Sequence, residues 1–190
     1  KDNARITLSA PHLRLSGTGK YFDSPADLRP RVMNAPTKDV AAAQFNATAD
    51  LLDIGNSLSF GTAGSIAQFT GPALQVARRG FEQVSLDSRG DLRFLAPTGN
   101  QAKSELWTAA DLNLRAAQIY PASDITAEVR VGYQSEQPGA DPQHTLRISG
   151  TGAVPVALPY SVFGNLTMAA GRIEQGGVIR APLGMINLGD

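Results

Sequence analysis

A short phrase of alternating apolar and polar residues that ends in Ala recurs along the chain. Copies of this phrase occupy residues 6–10, 92–96, 112–116 and 166–170. Strict alternation over five residues places the apolar side chains on one face of a β-strand. A recurring strand-and-turn unit that is too small to bury its own apolar face indicates stacked repeats. We therefore expect an all-β fold, a parallel β-helix (β-solenoid) with inserted loops, built from residues 1–190 as a single unit.

The turn residues favour a solenoid over a sandwich. Short strands with turns at intervals of roughly eight to twelve residues also fit a sandwich or a barrel. However, the chain contains no Asn-Gly or Asp-Gly pair, which is the strongest hairpin signal. The dipeptide Ala-Pro instead occurs four times, with prolines at positions 11, 36, 97 and 182. Because a proline inside a paired strand loses a ladder hydrogen bond, we expect each of these prolines at a corner.

Two segments interrupt the alternating pattern. Residues 20–46 hold three prolines and little alternation, and Ser24-Pro25 is typical of a helix N-cap followed by the first helical residue. We predict an inserted loop here, with one or two helical turns. Residues 132–145 are polar and contain Pro138-Gly139, which predicts a surface loop.

Composition excludes several classes of protein. Lys plus Arg and Asp plus Glu are equal at 17 each, so the chain lacks the basic excess of a nucleic-acid-binding protein. The absence of cysteine excludes disulfides, a thiolate nucleophile and thiolate metal sites. No apolar run approaches the length of a membrane-spanning helix, so we expect no membrane insertion. Both termini enter strand-like sequence, which indicates a piece of a longer array whose strand edges are covered by a loop or self-associate.

Three segments resemble the filamentous-haemagglutinin-like exoproteins of two-partner secretion systems in Gram-negative bacteria. These segments are residues 88–94 (SRGDLRF), 112–121 (LNLRAAQIYP) and 171–189, and the resemblance extends over residues 47–131 and 164–190. It implies a right-handed parallel β-helix that is secreted or held at the cell surface. It also implies roles in cell adhesion, aggregation, virulence or effector presentation.

The resemblance further implies partners for the protein. These are an outer-membrane transporter for the full-length protein, and a host-cell or bacterial surface receptor or glycan. The chain lacks the Asn-Pro motif usual in the secretion domain of that family. The piece therefore resembles an internal or C-terminal part of such a fibre.

One tripeptide and two aromatic residues are candidate contact residues. Arg89-Gly90-Asp91 is the sequence that integrins bind, which suggests receptor binding; alternatively, Gly90 and Asp91 simply form the turn into the next strand. Tyr133 and Tyr160 fall in predicted loops, where they could stack on a sugar or anchor a partner. We predict no catalytic residue, no cofactor and no metal site.

Two other functions fit the same residues. Some β-helix proteins are polysaccharide lyases or hydrolases, and paired carboxylates perform glycoside hydrolysis. The nearest acidic pairs are Asp50 with Asp53 and Asp87 with Asp91. A carbohydrate-binding β-sandwich module is the other alternative, and antiparallel pairing of the strands would favour it. We expect a scaffold and binding segment rather than an enzyme.

Overall fold

The described part of the chain folds into β-strands and contains no helix. A computed structural model describes residues 5–17, 43–60, 66–67, 76–77, 81, 83–99, 102–108, 110–134, 137–140, 144–153, 159 and 161–189. The strands are β1 (Arg5–Ser16), β2 (Gln44–Gly55), β3 (Ser57–Ser59), β4 (Ile66–Ala67), β5 (Val76–Ala77), β6 (Gln83–Ser88), β7 (Asp91–Phe94), β8 (Ser104–Thr108), β9 (Asp111–Ala116), β10 (Gln118–Pro121), β11 (Thr126–Val131), β12 (Tyr133–Gln134), β13 (Gln137–Ala140), β14 (Thr145–Gly150), β15 (Asn165–Ala169), β16 (Arg172–Gly176) and β17 (Met185–Leu188).

The two predicted loops overlap these strands only in part. Residues 44–46 begin β2, whereas the predicted helical turns within residues 20–46 fall outside the described residues. Within residues 132–145, β12 and β13 form a small antiparallel pair, and Thr145 begins β14.

The strands of the two large sheets pair in parallel. One sheet has eight strands in the order β10-β7-β2-β6-β9-β14-β16, with β1 also paired to β2; the other has five, in the order β17-β15-β11-β8-β3. Every pairing within these two sheets is parallel. Antiparallel pairing occurs in the two-stranded sheets β4–β5 and β12–β13. The predicted all-β fold with parallel strands is therefore confirmed, in the form of curled sheets, and the large sheets lack the antiparallel pairing that would favour a β-sandwich.

The chain passes through the same three columns of strands in a fixed order. The first column contains β1, β2, β6, β9, β14 and β16, each paired with the next. The second half of β2 pairs with β7, and β7 pairs with β10. The third column contains β3, β8, β11, β15 and β17. Paired residues of neighbouring strands thus lie next to each other along each column.

The core lies between these columns and continues from strand to strand. One row of inward side chains runs through Phe45, Val84, Leu112 and Leu146, which are partners in register and are buried. Another row runs through Leu106, Val129 and Met168, all with no exposed surface. Burying a side chain of this size stabilises the fold by about 1.5–3 kcal/mol. The alternation found in the sequence is therefore the alternation between core and outer surface.

Pro97 and Pro182 lie between strands, as predicted. Pro11 lies inside β1, but opposite Asp50, at the corner where β2 passes from its pairing with β6 to its pairing with β7. Pro11 is the one residue of β1 without a partner in the register with β2. An edge strand tolerates proline, because only one of its sides forms ladder hydrogen bonds. Pro36 lies outside the described residues.

Candidate functional site

The Arg89–Asp91 tripeptide forms the corner between β6 and β7. Ser88 pairs with Ala49, and Leu92 pairs with Leu52. Three residues therefore lie between these pairs on the β6–β7 side, whereas only two lie between them in β2. One extra residue in a strand locally disrupts pairing and redirects side chains, as in a β-bulge. The tripeptide is therefore a local irregularity in an otherwise regular column.

Hydrogen bonds hold the backbone of this corner on both sides. The N–H groups of Arg89 and Gly90 donate to the carbonyl oxygens of Ala49 (2.8 Å) and Asp50 (2.9 Å). The Gly90 carbonyl oxygen accepts from the N–H of Ala117 at 2.8 Å. A Cβ atom on Gly90 would lie 2.7 Å from the Asp50 carbonyl oxygen, so the close approach of the two corners requires glycine.

The two charged side chains of the tripeptide have different surroundings. The side chain of Arg89 is 72% exposed, and its Nε lies 2.5 Å from Oδ1 of Asp50. The carboxylate of Asp91 accepts hydrogen bonds from Nε2 of Gln118 (2.9 Å) and from the hydroxyl of Tyr120 (2.7 Å). The guanidinium is thus the part of the tripeptide most open to a partner. Receptor binding by these residues stays a prediction.

A buried carboxylate lies on the outer side of the same column. The side chain of Asp53 is only 3% exposed. Its Oδ1 accepts from Nε of Arg93 at 2.7 Å, and its Oδ2 accepts from Nη2 of Arg93 at 2.9 Å. Nε2 of His12 lies 2.7 Å from the same Oδ2. A two-pronged contact between arginine and a carboxylate is among the strongest protein hydrogen-bond arrangements.

These contacts shift the ionisation of the groups involved. Burial would raise the pKa of Asp53, but the hydrogen bonds from Arg93 and His12 outweigh burial, so this pKa lies below its ordinary value. The pKa of Arg93 is raised, chiefly by its hydrogen bond to Asp53. Burial and the hydrogen bond to Asp91 raise the pKa of Tyr120. We call the five residues His12, Asp53, Asp91, Arg93 and Tyr120 the Asp53 cluster; it connects β1, β2, β7 and β10.

A second charged cluster lies on the outer face of the five-stranded sheet. Glu105 and Glu128 are partners in register on β8 and β11. Nζ of Lys103 lies 3.0 Å from Glu105 and also contacts the carboxylate of Glu128, which Arg130 contacts in turn. The guanidinium of Arg130 lies 5.4 Å from the centroid of the Trp107 ring, within cation–π range. We call these five residues the Glu128 cluster.

Charge is balanced inside the Glu128 cluster. Burial alone would lower the pKa of Lys103, but its hydrogen bonds to Glu128 and Glu105 raise it. Two carboxylates therefore lie between two cations, and the Glu128 side chain is only 7% exposed. Sequence reasoning missed this pair. Aligning residues 104–108 (SELWT) with residues 127–131 (AEVRV) places both glutamates at the second position, which is the signal that could have found them.

The four acidic residues proposed from the sequence as glycan-active pairs all have partners. Asp50 pairs with Arg89, and Asp53 and Asp91 belong to the Asp53 cluster. Asp87 pairs with Arg115 at 2.9 Å. The structure brings Asp53 and Asp91 into one hydrogen-bonded cluster, which is a different grouping from the pairs that the sequence suggested.

Of the two candidate aromatic residues, the structure describes only the backbone of Tyr133. The backbone of Tyr133 pairs with Ala140 in the β12–β13 hairpin, while its side chain and the whole of Tyr160 lie outside the described residues. Among the residues that the structure describes, no group of three or more His, Asp or Glu side chains is placed to hold a metal ion. The same part of the chain contains no helix long and apolar enough to span a membrane.

Comparison of the chain with protein-family models, with curated proteins and with solved structures gives no match. The geometry therefore defines the class: an all-β protein whose parallel strands form curled sheets with charged clusters on the outer faces.

Proposed function

We propose that this chain is a right-handed parallel β-helix that serves as a structural and binding segment of a secreted bacterial surface adhesin. The observation that carries the proposal is the register: strands pair in parallel along three columns, each strand with the next. Such a column has a rigid axis and a length set by the number of repeats. These are the properties of a fibre segment, and they agree with the resemblance to filamentous-haemagglutinin-like exoproteins.

Ion pairs along the outer surface support a scaffold role. Arg115 of β9 lies 2.9 Å from Asp87 of the paired strand β6, and Arg147 of β14 lies 2.7 Å from Glu174 of the paired strand β16. Each pair connects one repeat to the next. Exposed pairs of this kind contribute only about 0–1 kcal/mol each, so the apolar rows supply most of the cohesion.

Binding residues on such a scaffold belong at corners and insertions. Loops held by a rigid framework commonly carry recognition. The chain departs from its repeats at residues 20–46 and 132–145 and at the Arg89–Asp91 corner. A host-cell or bacterial surface receptor or glycan is the proposed partner. For the full-length protein, an outer-membrane transporter would deliver the segment to the cell exterior.

Attachment to cells tests the binding role. We expect the immobilised chain to capture integrin-bearing cells, and the Arg89→Ala variant to capture at least about tenfold fewer. Arg89 is the appropriate position, because its exposed ion pair with Asp50 contributes little to stability. Substituting Asp91 would instead remove the acceptor of Gln118 and Tyr120 and disturb the fold.

Arg115→Ala is the matched control, because it removes another exposed arginine from a surface ion pair. This variant should capture cells as the unmodified chain does. If the Arg89→Ala variant captured as many cells as the unmodified chain, the receptor contact would have to lie in another part of the segment. Failure of the unmodified chain to bind cells, bacteria or a glycan panel would contradict the binding role.

A further inference from the structure

A row of outward side chains that contains three arginines crosses the second column, which consists of the second halves of β1 and β2 followed by β7 and β10. The residues of these four strands that are partners in register are Arg14, Asp53, Arg93 and Tyr120. A parallel bridge with a backbone hydrogen bond of 2.9 Å places Arg180 next to Tyr120. The residues on either side of each member pack into the core, so the row itself faces outwards. We call these five residues the arginine row.

The arginines occupy every second strand of this row. Paired strands lie about 4.8 Å apart, so Arg14 and Arg93 are separated by about 10 Å, and Arg93 and Arg180 by the same distance. The guanidinium of Arg93 binds the carboxylate of Asp53 through two nitrogens. Arg14 and Arg180 form no ion pair with the described residues. The row therefore has a neutral centre and an uncompensated cation at each end, about 19 Å apart.

The wide spacing of these charges selects the class of ligand. Duplex DNA carries one negative charge per about 1.7 Å of its axis, far more than two cations at this separation can compensate. Such a ligand would also bring phosphates against Asp53 and against Asp91, which lies two residues before Arg93 on β7. A ligand with fewer and more widely spaced negative charges fits this face better.

The guanidinium group selects the kind of negative charge. Its planar set of donors matches a carboxylate in a two-pronged contact. In a 1,4-linked polysaccharide of uronic acids, each sugar carries one carboxylate. Each sugar also advances the chain by about the spacing of one strand. A short run of such sugars laid along the column therefore reaches from Arg14 to Arg180.

We propose that the arginine row binds an acidic polysaccharide of uronic acids, which lies along the column with its carboxylates paired to Arg14 and Arg180. The inference names the glycan partner of the proposed function and in that respect rests on it. Once one carboxylate is bound, the second contact on the same chain becomes intramolecular. Nε of Arg180 is buried, so part of this side chain is already held against the column and loses less freedom on binding.

Isothermal titration calorimetry with oligogalacturonates tests the proposal. A hexamer should bind the unmodified chain. Its affinity should fall with added salt, because the Debye length shrinks from about 10 Å at 0.1 M to about 3 Å at 1 M. A hexamer whose carboxyl groups have been reduced to alcohols should not bind. The disaccharide cannot reach both arginines and should bind at least about tenfold more weakly than the hexamer.

Single substitutions locate the contact. Arg14→Ala and Arg180→Ala should each weaken hexamer binding at least about tenfold, because each leaves the chain with one anchoring contact. Arg5→Ala is the matched control, since Arg5 is an exposed arginine of β1 that forms no ion pair with the described residues and lies on the first column. This variant should bind the hexamer as the unmodified chain does. All three variants should unfold at the urea midpoint of the unmodified chain, because none loses an ion pair.

Three results would overturn the proposal. The first is that the unmodified chain does not bind the hexamer. The second is that the carboxyl-reduced hexamer binds equally well, and the third is that Arg5→Ala weakens binding as much as Arg14→Ala, so that only net charge matters. If the hexamer fails to bind while the chain still captures cells, the inference fails alone; if the chain binds neither the hexamer nor cells, bacteria or a glycan panel, the proposed function fails with it.

Discussion

Charged residues on the outer surface of this protein differ widely in how much they contribute to the free energy of unfolding. The ion pair between Arg89 and Asp50 is largely exposed, whereas Asp53 is buried and accepts from Arg93 and His12 together. An exposed pair gains little over its interactions with water. A buried carboxylate depends on its partners, because an unpaired buried charge is costly. Asp53 is therefore the charged residue whose loss should most weaken the contact between β1, β2 and β7.

Replacing Asp53 by Asn tests this dependence. The variant leaves Arg93 without its carboxylate, and we expect it to lower the free energy of unfolding at pH 7 by about 3 kcal/mol. The lowered pKa of Asp53 means that its contribution is complete above its ordinary pKa of 3.8 and is lost as the pH falls through the folded-state value. The difference between the two proteins in urea unfolding should therefore shrink below about pH 4.

Asp50→Asn is the control for this comparison, and we expect it to change the free energy of unfolding at pH 7 by less than about 1 kcal/mol. A difference between Asp53→Asn and the unmodified chain that stays constant from pH 7 to pH 3 would contradict the assignment.

At the scale of the elements, close stacking of corners limits which residues can connect the strands. The corner before β15 lies directly against the corner that follows β10. A Cβ on Gly164 would lie 2.7 Å from Cγ of Pro121 and 2.9 Å from the carbonyl oxygen of Ala122. Gly184, at the next corner, would meet the carbonyl oxygen of Gly164. Glycine at these corners lets neighbouring corners approach to the spacing of paired β-strands.

The substitution Gly164→Ala should therefore destabilise the protein by about 1–3 kcal/mol, because the added methyl group forces the backbone of two corners apart. Gly55→Ala is the matched control: its Cβ would meet nothing closer than Oγ of Ser16 at 3.6 Å. We expect the control to be neutral or slightly stabilising. Chemical denaturation of both variants measures the difference, and equal midpoints would show that the corner tolerates a side chain.

At the scale of the whole molecule, the fold depends on the parallel register between neighbouring strands of the large sheets. Asn46 and Ser85 are partners in this register, and Ser85 is in turn the partner of Asn113. Neighbouring strands lie about 4.8 Å apart, within the Cα separation that a disulfide can bridge. Positions two strands apart are separated by about 10 Å, which is too far.

Because the chain has no native cysteine, engineered pairs report this register directly. We expect Asn46→Cys/Ser85→Cys to form an intrachain disulfide in high yield under mild oxidation. The control Asn46→Cys/Asn113→Cys should remain reduced. Mass spectrometry after digestion without reductant measures both yields, and equal cross-linking of the two pairs would contradict the stacked register.

The outer clusters mark the limit of prediction from sequence. The alternating phrase correctly predicted inward positions such as Leu112 and Leu114, because side-chain alternation along a strand is local. Outward positions carry no such periodic constraint. The sequence therefore did not reveal the pairing of Glu105 with Glu128 through Lys103, or the contact of Asp53 with Asp91 through their shared neighbours.

The sequence by itself determined that this protein is built from short strands with one apolar face and that these strands pair in parallel. Only the tertiary structure decided which strands are neighbours, since paired strands of the two large sheets have partners from 20 residues apart, as Asn165 and Met185 are, to 48 residues apart, as Ser57 and Glu105 are. The physical reason is that the strands share nearly the same alternation of apolar and polar residues. Many registers satisfy that pattern locally, and only the packing of complete rows and corners selects one of them.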